Sequence, residues 1–461
     1  MHHLGDANGL FSGADGRPRV GPPAFAAELL QRAREKGPIT IGLVGAGQMG
    51  TDLLVQVALM QGLRIGAVAV RSRPQNAIAA AILAGHAPAD IVEVSSAAAV
   101  DRAIETGKLA VTTDLTALTA AGRIEVVIDA TGHPESGALV ALAAIRAGKH
   151  MVMLNVEADI TIGRLLKAEA DRAGVVYTGA AGDEPAAAVE LVAFARTLGM
   201  TVVAAGKGKN NALNFDAVPE DYEAQARARD MNPRMLVEFV DGSKTMVEMV
   251  ALANATGLVP DRPGMHGPRA GREELADVLI PVSHGGVLSQ RGVVDYTIGK
   301  GVAPGVFCIV EANHPRVLER MTDLHVGKGP FFTLHRPYHL TSLETPLSAA
   351  RAVLYGRADM QPLDHPVAET AALAKRDLAP GHVLGRIGES DYRGWSMTWP
   401  EATKARVLPI GLAERARVTR PIRKGELLSH DNCAVDETLT IVALRRELDR
   451  ADRRFLAADA A

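Results

Sequence analysis

The chain is predicted to be α/β, with a doubly wound parallel sheet first, an α+β domain next and a small β-rich domain last. Three observations carry this prediction. Short apolar runs alternate with helix-length segments from residue 39 onward, as strands and crossover helices of a parallel sheet do. The first run leads into a glycine triplet and then a helix. The final third drops that alternation and repeats a short phrase containing a Pro-Gly or Lys-Gly turn. At 461 residues the chain exceeds one hydrophobic core, so several domains are expected. The expected units are an N-terminal arm and helix over 1–37, a sheet domain over 38–156, a catalytic and dimerisation domain over 157–365, and a β-rich domain with its closing helix over 366–461.

The composition is 47% hydrophobic and 22% charged with a formal net charge of −3, which gives no electrostatic case for nucleic acid or an anionic membrane. No long uninterrupted apolar stretch and no signal-like segment stand out, and Cys308 and Cys433 form no metal or redox motif. The expectation is a soluble cytoplasmic protein. Residues 1–23, rich in Gly, Pro and His, read as a disordered arm.

In chain order, Phe25 to Lys36 reads as a helix and Ile39 to Val44 as a buried strand. Gly45, Gly47 and Gly50 then form Gly-x-Gly-x-x-Gly, with Gln48 and Met49 inside it, followed by a helix over Thr51 to Leu63. In that context the first glycine turns the chain and the second admits a pyrophosphate to the backbone. The third lets helix and strand pack closely. This is a Rossmann-type dinucleotide fingerprint, the alternative being a structural turn. The next strand, Arg64 to Val70, ends on Arg71-Ser72-Arg73 rather than on an acidic residue. Two guanidiniums and a hydroxyl suit a ribose 2′-phosphate, so NADPH is the expected cofactor; the alternative is a solvated arginine pair.

A helix at Asn76 to Ala84, a strand at Ile91 to Val94, a helix at Ala97 to Glu105 and a strand at Ala110 to Thr112 follow. Ile124 to Asp129 is a strand ending in a Thr131-Gly132 turn, placed either beside a nicotinamide or as a plain strand end. Ala138 to Ala147 is a helix stopped by Gly148, and Lys149 to Leu154 is a strand ending at Asn155. Further on come helices over Ala158 to Ala173 and Glu184 to Leu198, with strands at Val175 to Thr178 and Thr201 to Ala205.

The chemistry-bearing residues lie in that middle region. Gly206-Lys207-Gly208-Lys209-Asn210-Asn211 is a polar cluster at a strand end that folding does not require, unless it is a solvated loop. Lys244 and Glu248 stand at helical i, i+4 spacing among apolar residues, in the less favourable order for a surface pair. Asp183 and Glu184 precede a helix, where a carboxylate also complements the dipole. His314, His325, His335 and His339 show no ligand spacing, and no residue set is assigned to a metal. Lys375 to Gly385 and Ala416 to Leu428 look like two versions of one phrase, and Leu439 to Leu448 closes the chain as a helix.

Asp129-Ala-Thr-Gly132 and Gly148 to Asn155 resemble homoserine dehydrogenases, while Lys375 to Gly385 and Arg420 to Asn432 resemble a SAF domain, the antifreeze-like module. With Phe239 to Gly257, the combination is similar to the SAF-domain oxidoreductases that include DXR-like reductoisomerases. The resemblance covers nearly all of the chain after Pro38. It implies NADPH-dependent conversion of 1-deoxy-D-xylulose 5-phosphate into 2-C-methyl-D-erythritol 4-phosphate, with magnesium or manganese as a further cofactor. One departure stands out: homoserine dehydrogenases usually place a lysine after this asparagine, where this chain has Val156. The lysine role then passes to Lys207, Lys209 or Lys244.

Such chemistry needs a cation for the oxyanion, expected at Lys209 with Lys207 or Lys244, and a base, expected at Glu184 or Glu248. Gly45, Gly47, Gln48, Met49, Gly50, Arg71, Ser72, Arg73, Thr131, Gly132 and Asn155 are expected at the cofactor. Asp183, Asn210, Asn211, Lys328, Arg336 and His339 are expected at a sugar-phosphate or polyol substrate. A homodimer or larger homo-oligomer is expected. Competing readings are a dehydrogenase of another sugar, a polyol or homoserine, and a non-enzymatic NADPH sensor whose SAF-like module contacts a partner protein.

Overall fold

The computed structural model describes residues 24–229 and 231–458; the arm expected over residues 1–23 lies outside them. The first part of the chain runs α1 (Ala24–Lys36), β1 (Ile39–Val44), α2 (Gln48–Leu59), β2 (Leu63–Ala69), α3 (Pro74–Leu83), β3 (Ile91–Glu93), α4 (Ala97–Glu105), β4 (Leu109–Thr112), α5 (Leu115–Thr119), β5 (Val126–Asp129), α6 (Pro134–Arg146), β6 (His150–Met153), α7 (Val156–Ala173) and β7 (Tyr177–Gly179). Its strands form one seven-stranded sheet, ordered β3-β4-β2-β1-β5-β6-β7. Every pairing in it is parallel. The strand order reverses beside β1, which opens a crevice at the strand C-termini between β1 and β5. Ile39, Ile41 and Leu43 on β1 are fully buried, each such side chain contributing about 1.5–3 kcal/mol.

The helix expected over Thr51 to Leu63 starts earlier, on Gly47 as its cap, and ends before Gly62, whose φ of 91° breaks it. The helix expected from Ala138 starts at Pro134, because the His133 ring caps it by accepting from the Ser136 N–H. The short helix α5, capped by Asp114, had no counterpart in the sequence pattern. β7 pairs with β6, so the sheet runs past the boundary expected at residue 156.

The middle of the chain runs α8 (Glu184–Thr197), β8 (Thr201–Gly208), α9 (Pro219–Ala228), α10 (Pro233–Val240), α11 (Ser243–Thr256), β9 (Val259–Pro260), α12 (Leu275–Val278), β10 (Val293–Thr297), β11 (Val306–Glu311), α13 (Pro315–Asp323), β12 (Phe331–Arg336) and α14 (Thr345–Tyr355). Its sheet is five-stranded and mixed, ordered β12-β11-β8-β10-β9. Helix α14 returns to the first sheet, where Ala349 and Ala350 pack with Ile39 and Val126.

The last part carries β13 (Ala368–Ala374), β14 (Tyr392–Thr398), α15 (Trp399–Lys404), β15 (Arg417–Val418), β16 (Cys433–Ala434) and α16 (Thr440–Ala458). The two similar phrases face each other here: Leu378 and Ile422 exchange both backbone hydrogen bonds, at 2.8 and 3.0 Å. The region is thus built as a pair of matched antiparallel arms. Among the described residues no helix is long and apolar enough to cross a membrane.

Candidate functional site

The glycine triplet divides its labour as the fingerprint requires. A Cβ on Gly50 would lie 2.2 Å from the Gly45 carbonyl oxygen, and Gly45 itself has φ 103°. A Cβ on Gly47 would meet nothing within 4 Å. That open space sits at the N-terminus of α2, where the first-turn N–H groups of Gln48 and Met49 have no intrahelical acceptor. The donor set therefore fits a dinucleotide pyrophosphate.

A cavity of about 570 Å³ opens beside it. Gly45, Gly47, Arg71, Ser72, Arg73, Thr131 and Gly132 all line it, as expected of cofactor residues. Arg71, Ser72 and Arg73 are exposed, and neither arginine forms an ion pair among the described residues. Gly50 is buried in the strand–helix contact, while Asn155 is fully buried and lines no part of the cavity. Asn155 instead holds the turn that does: its amide donates to Asp129 at 3.2 Å and to the His133 carbonyl at 2.9 Å. Asn155 is thus a positioning residue, because its amide is consumed within the turn. Burial pushes the Asp129 carboxyl up to about 6, against the lowering hydrogen bonds of Thr131 and Asn155.

The Gly-Lys-Gly-Lys run explains itself at the end of β8. A Cβ on Gly206 would lie 1.6 Å from the Asp295 carbonyl oxygen, and one on Gly208 would lie 2.2 Å from that of Val302. Alternate residues of an extended chain face the same way, so the crowded face takes glycine and the other face takes both lysines. Lys207 Nζ lies 2.6 Å from Glu184 Oε1 and also contacts Glu248, with the lysine side chain 6% exposed. Glu184 opens α8 and Glu248 sits on α11, so one ammonium ties three elements together. Lys209 donates to the Phe239 carbonyl on α10 and forms no ion pair with a carboxylate among the described residues.

Burial opposes the charge on Lys207, but Glu184 and Glu248 outweigh it and hold the ammonium well above its ordinary range. For Lys209, burial and the nearby Lys207 charge act together and bring it down to about 8. Burial alone would raise Glu184; Lys207 and His339 overcome it and hold it at about 2. Glu248 and Asp183 are pushed up, each by burial and then by the Glu184 charge. Three neighbouring carboxylates thus differ in basicity, and the two lysines differ in acidity.

Asp183, Glu184 and Glu248 present oxygens within 4.8 Å of one another, a set that nothing in the spacing of the sequence marks as metal ligands. Three hard oxygen donors, two of them (Asp183 and Glu248) destabilised as anions by burial and by the Glu184 charge, suit a magnesium-like cation. His339 joins this cluster: its Nε2 lies 3.3 Å from Glu184 Oε1. Lys244 and Glu248 do not pair within their helix; Lys244 reaches Glu157 on α7 at 3.1 Å. Glu157 lines the cofactor cavity, so Lys244 marks where cavity and carboxylate cluster meet.

The expected substrate residues divide. Arg336 ends β12 level with Lys207 across Val306 but is held by Glu344 at 2.6 Å and Glu190 at 3.2 Å. Asn210 is exposed and Asn211 half-buried just beyond Lys209, and neither side chain has a hydrogen-bond partner among the described residues. Lys328 is misplaced as a substrate residue. It precedes β12, whose first residue Phe331 lies level with Glu311 and Thr201 at the far end of β8. Six residues of strand separate that end from Lys207, about 20 Å at ~3.3 Å per residue. His314 caps α13 and His325 is exposed with φ 57°, so neither enters the site.

Several cavity residues carried no signal in the sequence: His133, Glu157, Arg234, Glu238, Arg386 and Glu414. They come from five places along the chain, and only Arg234 and Glu238, four residues apart on α10, are joined by local spacing. His133 lies beside the Thr131-Gly132 turn, Glu157 just after Asn155 and Arg386 just after Gly385, but nothing in those motifs marks them as cavity residues.

Residues 45–178 match the family model for the NAD-binding domain of homoserine dehydrogenase. Residues 182–345 match the model for the catalytic domain of oxidoreductase DRL. No curated protein matches the chain. Similar solved structures include a probable dehydrogenase from Thermotoga maritima, at 14% identity over 69% of this chain and 90% of that one, with a TM-score of 0.39. A putative myo-inositol dehydrogenase from Sinorhizobium meliloti is 15% identical over 69% and 90%, TM-score 0.37. A DOX-P reductoisomerase in complex with magnesium is 14% identical over 69% and 70%, TM-score 0.38. The chain is an oxidoreductase with a nicotinamide-dinucleotide-binding domain of Rossmann type. Neither family match reaches residues 346–461.

Proposed function

We propose that the chain is an NADPH-dependent reductoisomerase that converts 1-deoxy-D-xylulose 5-phosphate into 2-C-methyl-D-erythritol 4-phosphate. The observation that carries this reading is one buried cluster of Asp183, Glu184, Lys207, Lys209 and Glu248, adjoining the cavity through Lys244 and Glu157. Reduction alone needs a hydride donor and one acid. A rearrangement also needs a base and a way to hold two oxygens, and this cluster offers both.

Bound NADPH supplies the hydride. Arg71, Ser72 and Arg73 grip its 2′-phosphate, and the open backbone around Gly47 receives the pyrophosphate. Lys209, which forms no ion pair among the described residues and is brought down to about 8, donates to the oxygen that gains charge. Lys207 is saturated by two carboxylates and stays cationic, which makes it a fixed positive charge. While no cation is bound, Glu184 at about 2 is the weaker base, and Glu248, whose basicity is raised, is the stronger one for the hydroxyl proton. Magnesium or manganese held by Asp183, Glu184 and Glu248 would polarise the ketol oxygens. His339 orients Glu184, and Asn210 and Asn211 border the substrate. A cytoplasmic homodimer or larger homo-oligomer belongs to the same reading, with a SAF-like module at the C-terminus.

The test is oxidation of NADPH by purified protein with 1-deoxy-D-xylulose 5-phosphate, with and without magnesium or manganese, beside Lys209→Ala. Turnover that the substitution removes supports the reading. NADPH binding without turnover rejects this substrate and turns the search to polyols, aldoses and homoserine as hydride donors.

A further inference from the structure

The dinucleotide cavity is walled by the first sheet, by Arg234 and Glu238 of α10, and by the C-terminal region. On one side stand the strand ends of the first sheet; on the other stand Arg386, Ile387 and Glu414 of the C-terminal region. The two sides are tied together across the opening. Glu414 Oε2 lies 2.9 Å from His133 Nε2, and Glu414 Oε1 lies 3.4 Å from Arg386 Nε. Glu135, in the first turn of α6, accepts the backbone N–H groups of Thr440 and Ile441 at 2.9 and 2.8 Å, which anchors the start of α16 to the same sheet domain.

His133 follows β5, which neighbours β1 on the side opposite β2. In a doubly wound sheet the adenosine lies over the β2 side, here Arg71 to Arg73, and the nicotinamide lies over the β5 side. The C-terminal wall therefore meets the nicotinamide half of a bound dinucleotide. Its chemistry suits that half. The Arg386 side chain is half exposed and among the described residues its guanidinium contacts only Glu414, so donors remain for a phosphate oxygen. Glu414 is a carboxylate placed to accept from a ribose hydroxyl.

We infer that the C-terminal module is part of the cofactor site, with Arg386 binding the nicotinamide-side phosphate and Glu414 the nicotinamide ribose. The inference rests on the dinucleotide reading above and adds that the nicotinamide half is held by a different domain from the adenosine half. Hydride geometry at the carboxylate cluster then depends on residues more than 200 positions away from the glycine triplet in sequence.

The test measures binding of two ligands by calorimetry to the full chain: NADPH, and adenosine 2′,5′-bisphosphate, which lacks the nicotinamide half. Arg386→Met and Glu414→Gln are compared with wild type, and thermal unfolding checks that each variant folds. Each substitution is expected to weaken NADPH about tenfold or more and to leave the bisphosphate within about twofold. Arg386→Lys is expected to fall between wild type and Arg386→Met, because it keeps the charge without the fork. Unchanged NADPH affinity in both variants overturns the inference, and so does a parallel loss of both ligands, which marks a structural role. Wild-type protein that binds neither ligand overturns the dinucleotide reading itself.

Discussion

Lys207 lies 2.6 Å from Glu184 in a setting where both side chains are almost wholly buried, and the same ammonium contacts Glu248. A single strand-end lysine therefore compensates two interior carboxylates on two different helices. Such a pair is worth little over an apolar substitute, but removing one member leaves uncompensated charge behind.

Lys207→Met is accordingly expected to destabilise the protein by about 3–5 kcal/mol, read from urea unfolding. Magnesium should recover part of that loss in the variant more than in wild type, since it would occupy the place of the missing positive charge among Asp183, Glu184 and Glu248. No stabilisation of either protein by magnesium would argue against a cation at this cluster.

Lys209→Ala should lower kcat by about 100- to 1000-fold with NADPH affinity intact, as for loss of one oxyanion donor. Because Lys209 is brought down to about 8, activity should fall as pH rises through that value. Lys209→Arg should keep its charge and move the falling limb to higher pH. The stability sign is the reverse. Between about 8 and the ordinary 10.5 the unfolded chain binds more protons at this residue than the native one, so its contribution to stability rises with pH across that window.

Gly50→Ala and Gly47→Ala should separate folding from binding. The first drives a Cβ to 2.2 Å from a backbone oxygen, so soluble yield and Tm should drop sharply. The second points into open space, so Tm should change little, with a helix-cap cost under about 1 kcal/mol. Its NADPH Kd should nonetheless rise about tenfold or more, because the methyl occupies the pyrophosphate cradle.

Arg73→Ala, alone or with Arg71→Ala, should weaken NADPH binding while leaving NADH within about twofold, measured by calorimetry. Each lost charge-assisted hydrogen bond corresponds to about 1.5–3 kcal/mol. Equal losses for both cofactors would assign these exposed arginines to something other than the 2′-phosphate.

The dinucleotide crevice was readable along the chain because its parts are local. A strand, a glycine triplet and a helix follow one another within about 20 residues, each with its own periodicity and its own backbone demand, and β1 to α2 stand where those signals put them to within a few residues. The lysines of β8 were noticed for the same reason: Gly-Lys-Gly-Lys is a two-residue period that only an extended chain uses.

What those lysines do was not readable. Lys207 and Lys209 are chemically identical in the sequence, yet one is bracketed by two carboxylates and the other faces a carbonyl. That difference arises from residues 23 and 41 positions away, brought in by α8 and α11. Lys328 and Asn155 failed as ligand assignments for the same physical reason. Strand register puts Lys328 at the wrong end of its sheet, and burial spends the Asn155 amide on its own turn. Local pattern fixes which residues can carry chemistry, because backbone periodicity and turn geometry act over a few residues. Which of them share a charge, a cavity or a cation depends on register and helix packing between distant segments, and those are set by the burial of the whole core.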